Sequence, residues 1–559
     1  MAYNPENPLI IQSDRTVLAD VHSPLYDASR EGLARFADLV KSPEHMHTYR
    51  ITPLSLWNAA ASGMTAAEMR ECLQLYCRYD APESLLREID DYVGRYGRVR
   101  LIAEDGQLRL VADDPYLLLE IAHQAAIKPL LLEQHADYLA VEPAQRGRIK
   151  QELLVLGFPP ADLAGYVQGQ GLEIKLRSMT ADGKPLALRP YQLEAIAAFY
   201  AGGAATGGSG VIVLPCGAGK TMVGMGVMAA VGAETLILTT NIIAVRQWLT
   251  ELRDKTELGP TLLGEYTGER KDIRSVTVTT YQILTWRRKE SEGFPHLELF
   301  GAKNWGLIIY DEVHLLPAEV FRVTADLQAR RRLGLTATLI REDGRAEDVF
   351  SLIGPKKFDA PWKDLEEQAW IATAHCHEVC VPLPELLRLD YALAGQREQY
   401  HLSADNPLKD DVVADLIQRH PGERILVIGQ YLDQLRRLAS FLTAPLITGS
   451  TVTEERARLY AAFRSGEIKV LVVSKVANFA IDLPEAGVAI QVSGTFGSRQ
   501  EEAQRLGRIL RPKADGRLVH FYTIVTRGTR DQEFAFNRQL FLAEQGYRYT
   551  IEDGGDDAR

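Results

Sequence analysis

In the stretch "VIVLPCGAGKT", Val211 to Thr221, two glycines, a lysine and a threonine follow a run of strand-forming residues. That set suits a phosphate cradle. Gly217 and Gly219 carry no Cβ, so backbone N–H groups can converge on phosphate oxygens. Lys220 is spaced to reach the β- and γ-phosphates, and Thr221 to offer its hydroxyl to Mg²⁺ at a helix N-terminus. Leu214, Pro215, Cys216 and Ala218 complete the loop. Leu214 departs from the strict pattern, which has glycine there. A plain flexible loop after a core strand is the alternative, and it leaves the lysine and threonine unexplained.

A nucleotide site that hydrolyses needs one carboxylate for the metal and one for the water. "LIIYDEVH" supplies both at a strand end. Asp311 is expected to hold Mg²⁺, Glu312 to orient and deprotonate the attacking water, and His314 to couple the site to its surroundings. Charge that builds on the γ-phosphate calls for an arginine from elsewhere. In "QRLGRILRP", Gln504, Arg508 and Arg511 share one helix face. A solvated basic helix would account for either arginine alone.

The elements around these residues are strands and helices in alternation. "VIVL", "TLILTT", "VTVTT", "LIIYDE" and "RLGLTAT" are strand-length apolar runs separated by helical stretches, and "ILVIGQ", "KVLVVSK", "VAIQVSG" and "LVHFYTIV" repeat the rhythm. Short buried runs between helices imply parallel sheets covered on both faces. The fold class is therefore α/β, with two halves in tandem meeting near "SLIGPKKFDAPWKDLEEQAW". Ahead of them lie small α+β modules. From about Leu54 to Asp113 the pattern is helix, helix, hairpin, with Thr65 and Glu68 spaced as a capping box and the turn at Asp105–Gly106. Such a unit fits a winged helix that reads DNA or a protein-docking module equally well. A second small unit, about Leu139 to Arg177, reads as a helix, "RGRIKQELLVLGF", and a closing strand, "LEIKLRS".

The chain of 559 residues exceeds one hydrophobic core. Its net charge of -11 excludes non-specific coating of nucleic acid by the whole surface while leaving room for a local basic groove. The five cysteines form no disulfide framework. No basic segment followed by an apolar core opens the chain, and no apolar run reaches the roughly 18 residues a spanning helix needs. A cytoplasmic protein without membrane contact is expected. "HCHEVC" does not read as a zinc site, because along a strand His375 and His377 face opposite to Cys376 and Cys380.

"RPYQ", "PCGAGKT", "DEVH", "LTAT" and "QRLGRILR" occur in the order of superfamily-two helicases. "LIREDGR" matches the Arg-Glu-Asp motif of the XPB helicase family at Arg341, Glu342 and Asp343, and "LSLWNAAASGMTAAEM" and "VGRYGRVRL" resemble that family's N-terminal domain. The resemblance implies two RecA-like motor domains, with an N-terminal domain over 1–128, a small damage-recognition domain over 129–180, motor domains over 181–360 and 361–545, and an acidic tail over 546–559. It also implies ATP and Mg²⁺ as cofactors and DNA as partner, with 3′-to-5′ unwinding in repair or transcription-linked repair and a nuclease or another repair or transcription protein as a further partner. By the same resemblance Gln192 reads adenine, Thr239, Thr240 and Thr280 grip the DNA backbone, and Arg341, Glu342 and Asp343 separate strands. Thr336, Thr338 and Asp482 then join His314 in coupling. Ala480 stands where relatives often have glycine, and 386–411 is short for the basic thumb of some archaeal relatives. A duplex translocase, an RNA-directed helicase and an ATP-gated scaffold that recruits a nuclease are the competing readings.

Overall fold

The computed structural model describes residues 3–42, 45–215, 217–287, 294–328, 330–337, 346–360, 365, 374–474, 486–494, 518–544, 547 and 549–554. They divide into two compact units, one of 1–38, 49–214 and 219–360, the other of 361–559 with the short stretches 39–48 and 215–218.

The first unit is built on a seven-stranded sheet in the order Leu263–Tyr266, Val276–Thr280, Thr235–Thr239, Leu307–Asp311, Arg331–Thr336, Ser209–Val213, Lys356–Asp359. Every neighbouring pair is parallel. Thr235–Thr239 and Val276–Thr280 are buried along their whole length, which is why these segments read as unbroken apolar and β-branched runs rather than alternating ones. Threonine is tolerated because its hydroxyls are satisfied locally, as where Thr279 Oγ1 donates to the Tyr266 carbonyl at 2.7 Å. In register, Val213 lies opposite Thr336 and Asp311 opposite Leu335. The cradle strand, the carboxylate strand and the "LTAT" strand thus end together, at the carboxyl edge where open α/β sheets place ligands.

The N-terminal modules belong to the same unit. Helices Pro53–Ala61, Ala66–Tyr76 and Glu83–Arg95 precede a hairpin of Val99–Glu104 and Gln107–Ala112. Thr65 and Glu68 form the expected capping box, and Asp105 and Gly106 take φ of 51° and 75° in the turn. The hairpin is part of a five-stranded sheet in the order Leu131–Gln134, Leu139–Val141, Gln107–Ala112, Val99–Glu104, Ala161–Asp162. Val99, Leu110, Leu118, Leu139, Ile149 and Leu153 share one buried cluster. The division expected at 128/129 therefore falls inside one sheet and one core. "LEIKLRS" forms no strand of that sheet. It meets the first lobe through an isolated bridge of Leu176 with Thr256, and Gly171 just before it bridges Ala233.

The second unit holds another seven-stranded parallel sheet, in the order Leu446–Ile447, Val470–Ser474, Ile425–Gly429, Val488–Gln491, Val519–Thr526, Ala374–Val381, Tyr549–Asp553. The chain end is not all tail: Tyr549–Asp553 pairs with Cys376–Cys380. Its acidic character is accommodated because Glu552 meets His377 Nδ1 at 2.9 Å and Arg419 at 3.0 Å. Cys376 and Cys380 point into the core, where burial pushes the Cys380 thiol up to about 12. No described helix is long and apolar enough to cross a membrane.

Candidate active site

The strand Ser209–Val213 delivers the cradle and the helix Lys220–Val231 leads away from it. Between them Gly217 and Gly219 have φ of 84° and 83°, the left-handed region open to glycine without a Cβ penalty. Gly219 is needed for a second reason. A Cβ there would stand 2.6 Å from Nε2 of the buried Gln192. The other end of that amide is fixed, since Gln192 Oε1 accepts from the Arg189 N–H at 2.9 Å where the helix Pro190–Tyr200 begins. Leu214 donates its N–H to the Thr336 carbonyl at 2.9 Å, and Ala218 donates to the Pro215 carbonyl at 3.2 Å. Thr221 is the second residue of the helix.

Lys220 Nζ stands 2.9 Å from Glu312 Oε1. Glu312 is one of few non-glycine residues in left-handed backbone, with φ of 52°, a conformation that costs about 1–3 kcal/mol and persists where the surroundings enforce it. His314 Nδ1 lies 2.6 Å from Thr336 Oγ1 and 3.6 Å from Glu312 Oε2. Lys220, Glu312, His314 and Thr336 are thus joined contact by contact.

Asp311 has its own support. The Trp248 indole Nε1 donates to Asp311 Oδ2 at 2.9 Å, and the Tyr281 hydroxyl donates to the Asp311 carbonyl at 2.9 Å. Trp248 reaches this point because residue 224 is glycine. A Cβ at Gly224 would come within 2.6 Å of the indole Cη2.

The two carboxylates are pushed apart electrostatically. Burial, and then the neighbouring charge of Glu312, raises the Asp311 carboxyl above the usual aspartate range. Burial also opposes ionisation of Glu312, but the Lys220 ammonium and His314 outweigh it and hold that carboxyl below its ordinary value. One half-buried pair thus holds one carboxyl above and one below its ordinary value. The donor set fits a nucleoside triphosphate with Mg²⁺: backbone N–H groups freed of Cβ, a lysine, a helix-start hydroxyl and a half-buried carboxylate beside them.

The expected DNA-gripping threonines sit at the ends of neighbouring strands. Thr239 is buried and donates to the Thr279 carbonyl at 3.0 Å. Thr280 Oγ1 accepts from the Ile283 N–H at 3.3 Å as the cap of the helix Tyr281–Leu284. Thr240 Oγ1 accepts from Asn241 Nδ2 at 3.1 Å, and Asn241 caps the helix Ile242–Lys255 that carries Trp248. Cys216, Thr338, Arg341, Glu342, Asp343, Asp482, Gln504, Arg508 and Arg511 lie outside the described residues. The contact of Trp248 with Asp311, and the space that Gly224 leaves for it, carry no signal in the sequence motifs.

Three family models match. Residues 365–554 match the ERCC3/RAD25/XPB C-terminal helicase, 9–136 a helicase conserved C-terminal domain, and 185–341 the type III restriction enzyme res subunit. The chain is 56% identical over 553 residues to a DNA 3′-5′ helicase XPB from Kineococcus radiotolerans, covering 99% of this chain and 97% of that one. It is 55% identical to a DNA 3′-5′ helicase XPB from Mycobacterium tuberculosis, covering 99% of this chain and 98% of that one. A general transcription and DNA repair factor IIH helicase/translocase subunit XPB from Enterocytozoon bieneusi is 31% identical, with 100% and 94% covered. With its phosphate cradle, its split carboxylate pair and kinship along its full length, the chain belongs to the XPB family of DNA helicases.

Proposed function

We propose that this chain is a DNA-dependent ATPase that moves 3′ to 5′ on DNA and separates strands in repair or transcription-linked repair. The observation that carries the chemistry is the Lys220–Glu312 contact at 2.9 Å beside Asp311. Lys220 exchanges Glu312 for the β- and γ-phosphates when nucleotide enters. Glu312 then loses the ammonium that depresses its carboxyl and becomes a stronger base toward the attacking water. Thr221 and Asp311 would hold Mg²⁺, which when bound would neutralise charge at the phosphates. Trp248 keeps the Asp311 carboxylate aimed, and His314 with Thr336 passes a change at Glu312 to the end of the "LTAT" strand.

Arg508 and Arg511 serve the transition state, Gln192 contacts the base, and Thr239, Thr240 and Thr280 contact the DNA backbone. Thr338 and Asp482 act in coupling. A nuclease or another repair or transcription protein is the proposed partner. The test compares unwinding of duplexes carrying a 3′ or a 5′ single-stranded tail, with ATP hydrolysis measured on single-stranded DNA, duplex DNA and RNA. Unwinding confined to the 3′-tailed duplex supports the reading. Stimulation by duplex DNA with no strand separation on either substrate replaces it with duplex translocation.

A further inference from the structure

Away from the active site, a cavity of about 260 Å³ opens where the N-terminal modules meet the first motor lobe. Tyr96, Lys150 and Asp162 line one side, and Ser209, Ser351 and Lys357 the other. Asp162 is the only carboxylate among its described lining residues. That carboxylate is already engaged: Arg146 holds it at 2.6 Å and Lys150 at 3.1 Å. The buried Arg332 lies in the same region, its guanidinium donating to the carbonyls of Leu352 and Gln328, each at 2.7 Å. Among the described residues Lys357 reaches a carbonyl, that of Thr206, at 3.0 Å.

Three cations, Arg146, Lys150 and Arg332, thus gather around one carboxylate in a largely buried region, and Lys357 lines the same cavity. Excess charge of this kind is costly unless something of opposite sign joins it. Lys150 registers the cost: burial first, then Arg332 and Arg146, push its ammonium down to about 7 against the pull of Asp162. Burial likewise lowers Lys357 and Arg332. Two further details shape the cavity for an acceptor-rich ligand. Ser209 Oγ accepts from the Tyr166 hydroxyl at 2.8 Å, which leaves the serine its own proton to donate. Residue 210 is glycine with φ of 149°, and a Cβ there would come within 2.5 Å of Lys357 Cγ, so the glycine is what lets this lysine lie across the strand next to Ser209.

We propose that this cavity binds a small oxyanion of the phosphate class, held by Lys150, Lys357 and Ser209. The anion would tie the helix Arg146–Val155 to the strand Ser209–Val213, whose far end enters the nucleotide cradle.

The experiment is calorimetric titration of inorganic phosphate into the full chain at constant ionic strength. The Lys220→Ala background removes the cradle lysine from the competition. One saturable phosphate per chain is expected there, weakened at least about tenfold by a further Lys357→Met, since a charge-assisted hydrogen bond is lost. Lys357 borders solvent, so this change should fold normally, which a thermal melt checks. Ser209→Ala provides a second, smaller reduction of several-fold. Heat that vanishes with Lys220→Ala alone, heat unchanged by both Lys357→Met and Ser209→Ala, or no saturable binding at all would each overturn the proposal.

Discussion

Trp248 donates to Asp311 across 63 positions of sequence, and the packing of its ring depends on the missing Cβ of Gly224. Replacing the indole by a phenyl ring keeps an aromatic ring in the core, removes the donor and leaves a small gap beside Gly224. Trp248→Phe should therefore leave the fold and DNA binding intact while raising the Mg²⁺ concentration for half-maximal ATP hydrolysis by about tenfold, the usual effect of losing a group that orients a metal ligand. A Mg²⁺ titration of hydrolysis checks this; an unchanged requirement would leave Trp248 a packing residue. The contrast with the cradle shows what single residues disclose. "GAGKT" announces itself because its glycines, lysine and threonine act within five adjacent positions, where backbone geometry alone sets the chemistry. Trp248 carried no such signal. On a helix with Val245, Leu249 and Leu252 buried beside it, it reads as ordinary core, and its polar end finds its partner only through the tertiary fold.

At the scale of elements, the helix Arg146–Val155 is seated on the first lobe through Gly147, where a Cβ would fall 2.6 Å from the Ala325 Cα. Gly147→Val should lower stability by about 1–3 kcal/mol through overpacking, measured as a drop in denaturation midpoint; a neutral change would mean that the seat yields. The second lobe offers a pH test. His520 stacks on His377 and lies near His375, His420, Tyr522 and Glu423, and burial followed by these histidines lowers its pKa from 6.5 to about 4. Because the folded value is the lower one, the unfolded chain binds the proton first as pH falls. Stability should be intact above about 6.5 and decline toward 4, with His520→Gln flattening that decline in denaturant titrations. An identical decline in the variant would assign it to the neighbouring His377 and His420, which burial also lowers. The inner strands of both motor lobes were legible as apolar runs because they are covered on two faces, whereas the edge strands Leu263–Tyr266, Lys356–Asp359 and Leu446–Ile447 are short and partly exposed and were not. The N-terminal sheet was not, since Leu131–Gln134 and Ala161–Asp162 are short and mostly polar or half-buried. Their strand character comes from pairing with the hairpin, and a single segment cannot display it. The closing strand Tyr549–Asp553 was hidden by its acidic neighbours for the same reason.

For the whole molecule, two parallel sheets accompany an N-terminal part that shares a unit with the first of them, and ATP hydrolysis and strand separation should be separable by mutation. Arg341, Glu342 and Asp343 follow the "LTAT" strand, and two carboxylates beside one arginine suit deflection of a DNA strand better than grip on a phosphate backbone. Changing all three to alanine should reduce strand separation far more than DNA-stimulated hydrolysis, whereas equal losses would place them in the common machinery. DNA-stimulated ATP hydrolysis is proposed to run through the pair Lys220 and Glu312. The direct measurement is the hydrolysis rate of the full chain with and without single-stranded DNA, set beside that of Glu312→Gln. Stimulation by DNA in the parent, with a loss of about 10²–10⁴-fold in Glu312→Gln and nucleotide binding retained, is the predicted result. Hydrolysis indifferent to DNA, or a Glu312→Gln variant that turns over like the parent, would contradict it.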